Sequence, residues 1–278
     1  MRLKTKLCIG IIGDIVGRTG RDMVIKNLPY YKEKYNIDFV IANGENASGG
    51  FGLSKKNANE LFSSGIDVLS GGNHSFDKLE IIELMEIMPI LRPLNFPQNT
   101  PGSGIYHTII NGEDIAIINA MGHYGINLNL DNVYHKLEEA IIFLQKKNIS
   151  NIIVDFHAEA SSEKRISFCQ LRGRVSALFG THTHIGSDDL HIQNGSFYVS
   201  DVGLCGGYDG VIGMDYKVPL NKAMQCYGKG RFEVLENGNN IFQMIILELE
   251  NGKCNSAFKV KKINDIELES IKAFILES

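Results

Sequence analysis

The chain has 278 residues, 44% of them hydrophobic, and 28 Lys and Arg against 32 Asp and Glu give a formal net charge of −4. That length allows a sizeable core, and the absence of a linker, repeat or low-complexity tract favours a single domain over 1–278. The charge gives no basis for tight, non-specific nucleic-acid binding, and nothing approaches the length of a membrane span. Cys8, Cys169, Cys205, Cys226 and Cys254 are scattered without Cys-x-x-Cys spacing, which points to a reducing compartment rather than a disulfide framework. The basic start, Met1 to Leu7, runs into strand-like Cys8–Ile12 with no signal-peptide pattern, so a cytoplasmic setting is expected.

In chain order, Leu7–Ile12 reads as a buried strand and Gly20–Tyr35 as a helix that Pro29 kinks or stops early. Ile37–Ala42 is a second strand. Ser54 caps a helix over Lys55–Ser63, with Gly65 beyond its end. Ile66–Ser70 is a third strand, and Asp77–Met88 a helix ended by Pro89. Strands alternating with helices predict an α/β fold with a parallel sheet. Leu91–Gly102 is a proline-rich, ordered loop. Asn111-Gly112, Asn194-Gly195 and Asn251-Gly252 each mark a hairpin. Asp131–Lys147 is an amphipathic helix, Ile152–Phe156 a strand, and Ser161 or Ser162 caps a helix running through Arg172. Val175–Phe179 is a strand, and Asp265–Leu276 reads as a short closing helix. Parallel units first and hairpins later predict a mixed pair of sheets with helices outside.

The residues that carry chemistry sit where these strands end. Ligands in open α/β sheets bind at the carboxyl ends of the strands. Asp14 follows the first strand; alone it reads as a helix cap. Glu45 and Asn46 follow the second, in Asn43-Gly44-Glu45-Asn46, where a polar turn is an equal reading. Asn73 and His74 follow the third after Gly71-Gly72. Turn preference explains Gly, Asn and Asp, but not Glu45 or His74. His157 ends the strand Ile152–Phe156, with Asp155 as an orienting carboxylate or a plain buried hydrogen-bonding group. The run Gly180-Thr181-His182-Thr183-His184 completes the set. In an extended chain, residues i and i+2 point the same way, so His182 and His184 are expected to aim at one spot.

Asp14, Glu45, Asn46, Asn73, His157, His182 and His184, with His74 beside them, are too many ligand-type groups for one tetrahedral zinc. They suit two divalent ions sharing a carboxylate, roughly 3.5–4 Å apart. Other candidates have blander readings. His107, His135 and His191 read as solvated surface, and His123 as a residue at the edge of the cleft. Arg92 and Asn95 read as loop-shaping, and the glycine-rich Asp201–Gly213 as a tight turn.

The order Gly13-Asp14, Gly44-Glu45-Asn46, Gly72-Asn73-His74, His157 and Gly180-Thr-His182-Thr-His184 resembles the motif order of the calcineurin-like metallophosphoesterases. There are three departures. Val16 stands where that family has a histidine, Glu45 replaces a bridging Asp, and Ser75 replaces an acidic residue, with Asp77 two positions on. These departures, with Asp155-Phe-His-Ala-Glu159 and Ser200-Asp-Val-Gly203, are similar to the YmdB-like branch.

The resemblance implies a four-layer αββα sandwich and a cytoplasmic phosphodiesterase acting on 2′,3′-cyclic nucleotides. It implies that Asp14, Glu45, Asn46 and His184 hold one metal and Glu45, Asn73, His157 and His182 the other, so the two histidines of the run divide. Iron is implied, with manganese or zinc accepted by the same donors. The reaction expected is in-line attack on phosphorus by a hydroxide between the metals, with His74 as proton donor to the departing ribose oxygen. The partner expected is a small nucleotide, with no membrane, and a homo-oligomer stays open. Two alternatives remain at this point: a two-metal phosphatase or nuclease acting on another phosphate ester, and a non-catalytic regulator binding a nucleotide or a protein.

Overall fold

The computed structural model describes residues 6–225 and 230–276; Cys226 and the basic stretch before Lys6 lie outside them. The first half builds strands β1 (Lys6–Asp14), β2 (Phe39–Asn43) and β3 (Val68–Ser70), with helices α1 (Gly17–Tyr35) and α2 (Lys55–Ser63) between them. A single 3-10 turn (Leu79–Ile81) and the four-residue α3 (Ile82–Met85) follow. Then come β4 (Ile105–Ile110), β5 (Glu113–Met121), α4 (Val133–Lys146), β6 (Asn151–His157), α5 (Ser161–Leu171) and β7 (Ala177–Thr181). The last third holds β8 (His191–Gln193), β9 (Ser196–Val199), β10 (Gly206–Gly207), α6 (Lys217–Gln225), β11 (Asn240–Glu250) and β12 (Lys253–Ile263). Short strands β13 (Ile266–Glu267), β14 (Ile271–Lys272) and β15 (Phe274–Leu276) close it.

Two mixed sheets result. One runs β13-β12-β11-β1-β2-β3, with β10 on β11 and β14 on β12; the other runs β15-β8-β9-β7-β6-β5-β4. Side-chain alternation divides each strand between two cores. Ile9, Ile11, Phe39 and Ile41 meet Ile117, Ile153 and Phe179 between the sheets. Ile12, Val40, Ala42 and Leu69 face α1 and α2 through Val24, Leu28 and Leu61. Ile118, Val154 and Leu178 face α4 and α5 through Leu137, Ile141 and Phe168. These are the four layers αββα. Both surfaces of each central strand are buried, which is why the strands read as continuous apolar runs.

The three Asn-Gly hairpins form as expected, each with both turn residues at positive φ: Asn111 52° and Gly112 82°, Asn194 55° and Gly195 79°, Asn251 54° and Gly252 79°. Four readings are corrected. Pro29 does not stop α1, which continues to a left-handed Asn36 at φ 49° because Leu28 and Tyr31 are buried on either side of the proline. The helix read over Asp77–Met88 shrinks to two short turns, neither of which has a side-chain cap at its start, and the Asp77 carboxylate is engaged by His74 Nδ1 at 2.8 Å. No Ser161 or Ser162 side chain caps α5; Ala160 occupies that position. The closing helix is absent: its apolar residues add strands to exposed sheet edges, Ile271 beside Lys259 and Phe274 beside His191. Those edges offer unpaired backbone groups that a twelve-residue segment satisfies better by pairing than by coiling. No described helix is long and apolar enough to cross a membrane.

Candidate metal centre

The carboxyl ends of β1, β2 and β3 in one sheet, and of β6 and β7 in the other, open on the same edge of the sandwich. Asp14 ends β1, Glu45 and Asn46 follow β2, Asn73 and His74 follow β3, His157 ends β6, and His182 and His184 follow β7. The structure brings all eight together.

They fall into two groups that meet at Glu45. In the first, His157 Nε2 lies 3.0 Å from Glu45 Oε1, 3.1 Å from Asn73 Oδ1 and 3.0 Å from His182 Nδ1. One N–H serves one acceptor, so three lone-pair atoms around a single ring nitrogen ask for a cation at their centre. Glu45, His157 and His182 form a group able to hold a metal ion. In the second, Asn46 Nδ2 lies 3.2 Å from His184 Nε2 and 3.2 Å from Glu45 Oε1, and His184 Nε2 is 3.6 Å from Asp14 Oδ1. Asp14 is fully buried, and its Oδ1 has no hydrogen-bond partner. An unsatisfied buried carboxylate oxygen is costly without a cation. Gly72 completes the cradle: a Cβ there would fall on His157 Nε2 and Glu45 Oε2. The donor set therefore fits divalent metal.

The ring orientations are fixed from behind. Thr181 Oγ1 donates to Asp155 Oδ1 at 2.7 Å and accepts from His157 Nδ1 at 2.9 Å, leaving Nε2 for the centre. Ser70 donates to the other oxygen of Asp155. Asp155 thus orients His157 through Thr181, which joins the two readings of its role. His184 Nδ1 donates to the Ile212 carbonyl at 2.8 Å, and His182 Nε2 lies 3.3 Å from Glu159. Asp201 Oδ2 accepts from the Thr183 N–H and hydroxyl at 3.2 and 2.8 Å, and pairs with buried Lys164 at 2.9 Å.

The strand-geometry expectation that His182 and His184 aim at one spot does not hold. The strand stops at Thr181, and His182 and His184 adopt φ of 97° and 65°. Alternation does not apply in that conformation: His182 turns to His157, and His184 to Asn46 and Asp14. His182 also donates its backbone N–H to Asp14 Oδ2 at 3.0 Å, tying the two groups together.

Electrostatics follow the packing. Burial disfavours charge on Glu45, but the attraction and hydrogen bond of His157 outweigh it and bring the carboxyl down to about 2. Burial likewise opposes charge on His157, and Glu45 with Asp14 and Asp155 raises it to about 9. His182 falls to about 3 through burial and the neighbouring charge of His157. Burial raises Asp155 to about 6 and raises Asp14 as well.

His74 stands beside this cluster. Its N–H donates to Glu45 Oε2 at 2.9 Å, its Nδ1 is engaged by Asp77, and its ring meets Phe51 edge to face at 5.0 Å. Glu45, Asn46, His74, His182 and His184 open into a cavity of about 390 Å³. Val16 is buried with Leu204, Met214 and Ile241 and offers no ligand. Ser75 closes the turn by bonding Gly72, while Asp77 supplies the carboxylate.

Arg92 and Asn95 shape their loop, Arg92 through the carbonyls of Pro93, Leu94 and Thr100, and Asn95 through Met121. His123 is exposed, and its N–H caps Glu163. His107 and His135 are exposed as read. His191 is not: it is 3% exposed, bonded by Arg165 and stacked on Phe274. Sequence reasoning missed Thr181, Ile212, Lys164 and Phe51. Only Thr181 carried a signal, as a hydroxyl inside the histidine run.

Two sheets faced by helices, with histidines, amides and carboxylates gathered at their carboxyl edge, define a calcineurin-like metallophosphoesterase. The family model described as YmdB-like protein matches residues 11–263. The 2′,3′-cyclic-nucleotide 2′-phosphodiesterase of Bacillus subtilis (strain 168) is 40% identical over 254 residues, covering 91% of this chain and 94% of the relative. A crystal structure described as a novel phosphatase, of Mycoplasma pneumoniae, superposes with a TM-score of 0.88 at 32% identity, over 95% of both chains. A 5′-nucleotidase precursor of Thermus thermophilus shares the fold alone, with a TM-score of 0.54 at 10% identity over 95% of this chain and 55% of that one. The chain belongs to the YmdB-like family and is a phosphoric ester hydrolase.

Proposed function

We propose that the chain is a two-metal phosphodiesterase that hydrolyses 2′,3′-cyclic nucleotides. The observation that carries this is the pair of positions at the sheet edge, Asp14 Oδ1 without a hydrogen-bond partner and His157 Nε2 facing three lone-pair atoms. Asp14, Glu45, Asn46 and His184 would hold one ion, and Glu45, Asn73, His157 and His182 the other. Oxygen and imidazole donors without thiolate suit iron, manganese or zinc, and iron is the expectation for this family. When bound, the ions supply Lewis acidity and a nucleophilic water at neutral pH.

The remaining roles belong to the chain. Asp77 holds His74 Nδ1, which leaves Nε2 to protonate the ribose oxygen as its bond to phosphorus breaks. Thr181 and the Ile212 carbonyl fix His157 and His184, so the ligands need no reorganisation at the moment of reaction. A net charge of −4 gives no electrostatic basis for tight, non-specific binding of a polymeric nucleic acid. The free thiols of Cys8, Cys169, Cys205 and Cys254 support a reducing, cytoplasmic setting.

The test is a substrate panel on metal-reconstituted protein: adenosine 2′,3′-cyclic phosphate, the 3′,5′-cyclic isomer and a nucleoside monophosphate. The 2′,3′-cyclic ester is expected to react fastest; a faster monoester, or a protein that retains no transition metal, overturns the reading. His74→Ala should keep its metal and lose roughly 10²–10⁴ in kcat. A wild-type rate would remove His74 from the mechanism.

A further inference from the structure

The cavity above the metal centre has two unlike ends. Ligand-type side chains floor one end. The rest of the wall is largely apolar, formed by Phe51, Val211, Ile212, Met214, Pro219 and Phe232, and none of these six carries a side-chain N–H or O–H donor or an oxygen acceptor. The polar residues nearby are Thr183, which already gives its hydroxyl to Asp201, and Glu159, whose carboxylate lies 3.3 Å from His182 Nε2.

The wall is built into the site rather than laid beside it. Val211 and Met214 exchange backbone hydrogen bonds of 2.8 and 3.0 Å, and Met214 pairs with Val234, next but one to Phe232. Ile212, one of the two residues between, is the one whose carbonyl fixes His184. On the other flank, Phe51 touches the His74 ring. One loop therefore sets both a ligand imidazole and the apolar surface facing it. The Phe232 ring is partly exposed and lies 4.3 Å from Lys222 Nζ.

We infer that this wall is a nucleobase subsite that grips the base by its faces and leaves its hydrogen-bonding edge unread. The inference rests on the phosphodiesterase reading and adds to it the part of the substrate remote from phosphorus. A ligand whose phosphate reaches the floor must project its remaining body along the wall. A cyclic glycerol or sugar phosphate would leave exposed Val211 and Ile212 and partly exposed Phe51, Pro219 and Phe232 in contact with water; a flat aromatic base covers them. The cavity volume, about 390 Å³, falls in the range of small-molecule sites. With no N–H or O–H donor and no oxygen acceptor among these six side chains, discrimination follows stacking area, so purines lead pyrimidines while adenine and guanine differ little.

The experiment compares adenosine 2′,3′-cyclic phosphate with glycerol 1,2-cyclic phosphate, which has the same ring ester and no base. Phe232→Ala should lower kcat/KM for the adenosine ester roughly 5- to 150-fold and leave the glycerol ester within about twofold, and Phe232→Tyr should restore it. Activity on the glycerol ester doubles as the control for folding and metal loading. An equal fall on both esters, or no fall on either, overturns the subsite. So does an adenine-over-guanine preference above about tenfold, which would require edge contacts. If metal-loaded wild-type protein hydrolyses neither ester, the phosphodiesterase reading itself fails.

Discussion

Thr181→Val removes one hydroxyl and almost no volume, and it isolates the relay that aims His157. Thr181, Asp155 and His157 are all fully buried. Thr181 Oγ1 is the acceptor for His157 Nδ1 and the donor to Asp155 Oδ1, at 2.9 and 2.7 Å. Valine leaves a ring N–H and a carboxylate oxygen without these partners. Each such loss costs about 1–3 kcal/mol in a buried setting, so the fold should lose about 2–4 kcal/mol once local relaxation is allowed. Asp155, already raised to about 6 by burial with the Thr181 hydroxyl opposing, moves further toward its neutral form. A ring no longer held in one tautomer should bind metal about 10- to 100-fold more weakly. Chelator competition measures the affinity, thermal unfolding of the metal-free protein measures the stability, and Thr181→Ser is the control that keeps the hydroxyl. Wild-type metal affinity in Thr181→Val, with only stability reduced, would refute the relay.

Two further outcomes follow from the same geometry. His157 titrates at 6.5 when unfolded and about 9 when folded, so its contribution is complete below 6.5 and is lost as pH rises through 9. Glu45, depressed from 4.5 to about 2, contributes above 4.5 and is already complete in that range. Lys259, lowered to about 8 by burial, works the other way only from that pH upward. The unfolding midpoint of the metal-free protein should therefore fall between pH 6.5 and 8, and a flat or rising midpoint would contradict the Glu45–His157 pairing. Gly72→Ala places a methyl group on Glu45 Oε2 and His157 Nε2. It should fold, at a cost of about 1–3 kcal/mol, and lose bound metal; full metal content by elemental analysis would show that the centre lies elsewhere.

The mixed pair of sheets with helices outside, and the cluster of candidate residues at its strand ends, could be read from the order of residues. Continuous apolar runs mark strands buried on both faces, and Asn-Gly pairs between such runs mark tight hairpins, so β1 to β3 and the three hairpins were legible. Asp14, Glu45, Asn73, His157 and the histidine run were legible because each follows a strand, where turn chemistry does not call for Glu or His. What those residues do to one another depends on the packed fold. The segment Asp265–Leu276 carries apolar spacing that a helix would accept, and the open edges of β12 and β8 took its residues as strands. Local pattern also aimed His182 and His184 at one point. The chain leaves the strand at Thr181, with His182 and His184 at positive φ and Thr183 held by Asp201, so the two rings turn to different partners. Thr181 and the Ile212 carbonyl acquire their functions only through residues 24 and 28 positions away. A hydrogen bond across such a separation leaves no local periodicity, because the sheets rather than the intervening sequence bring its two ends together.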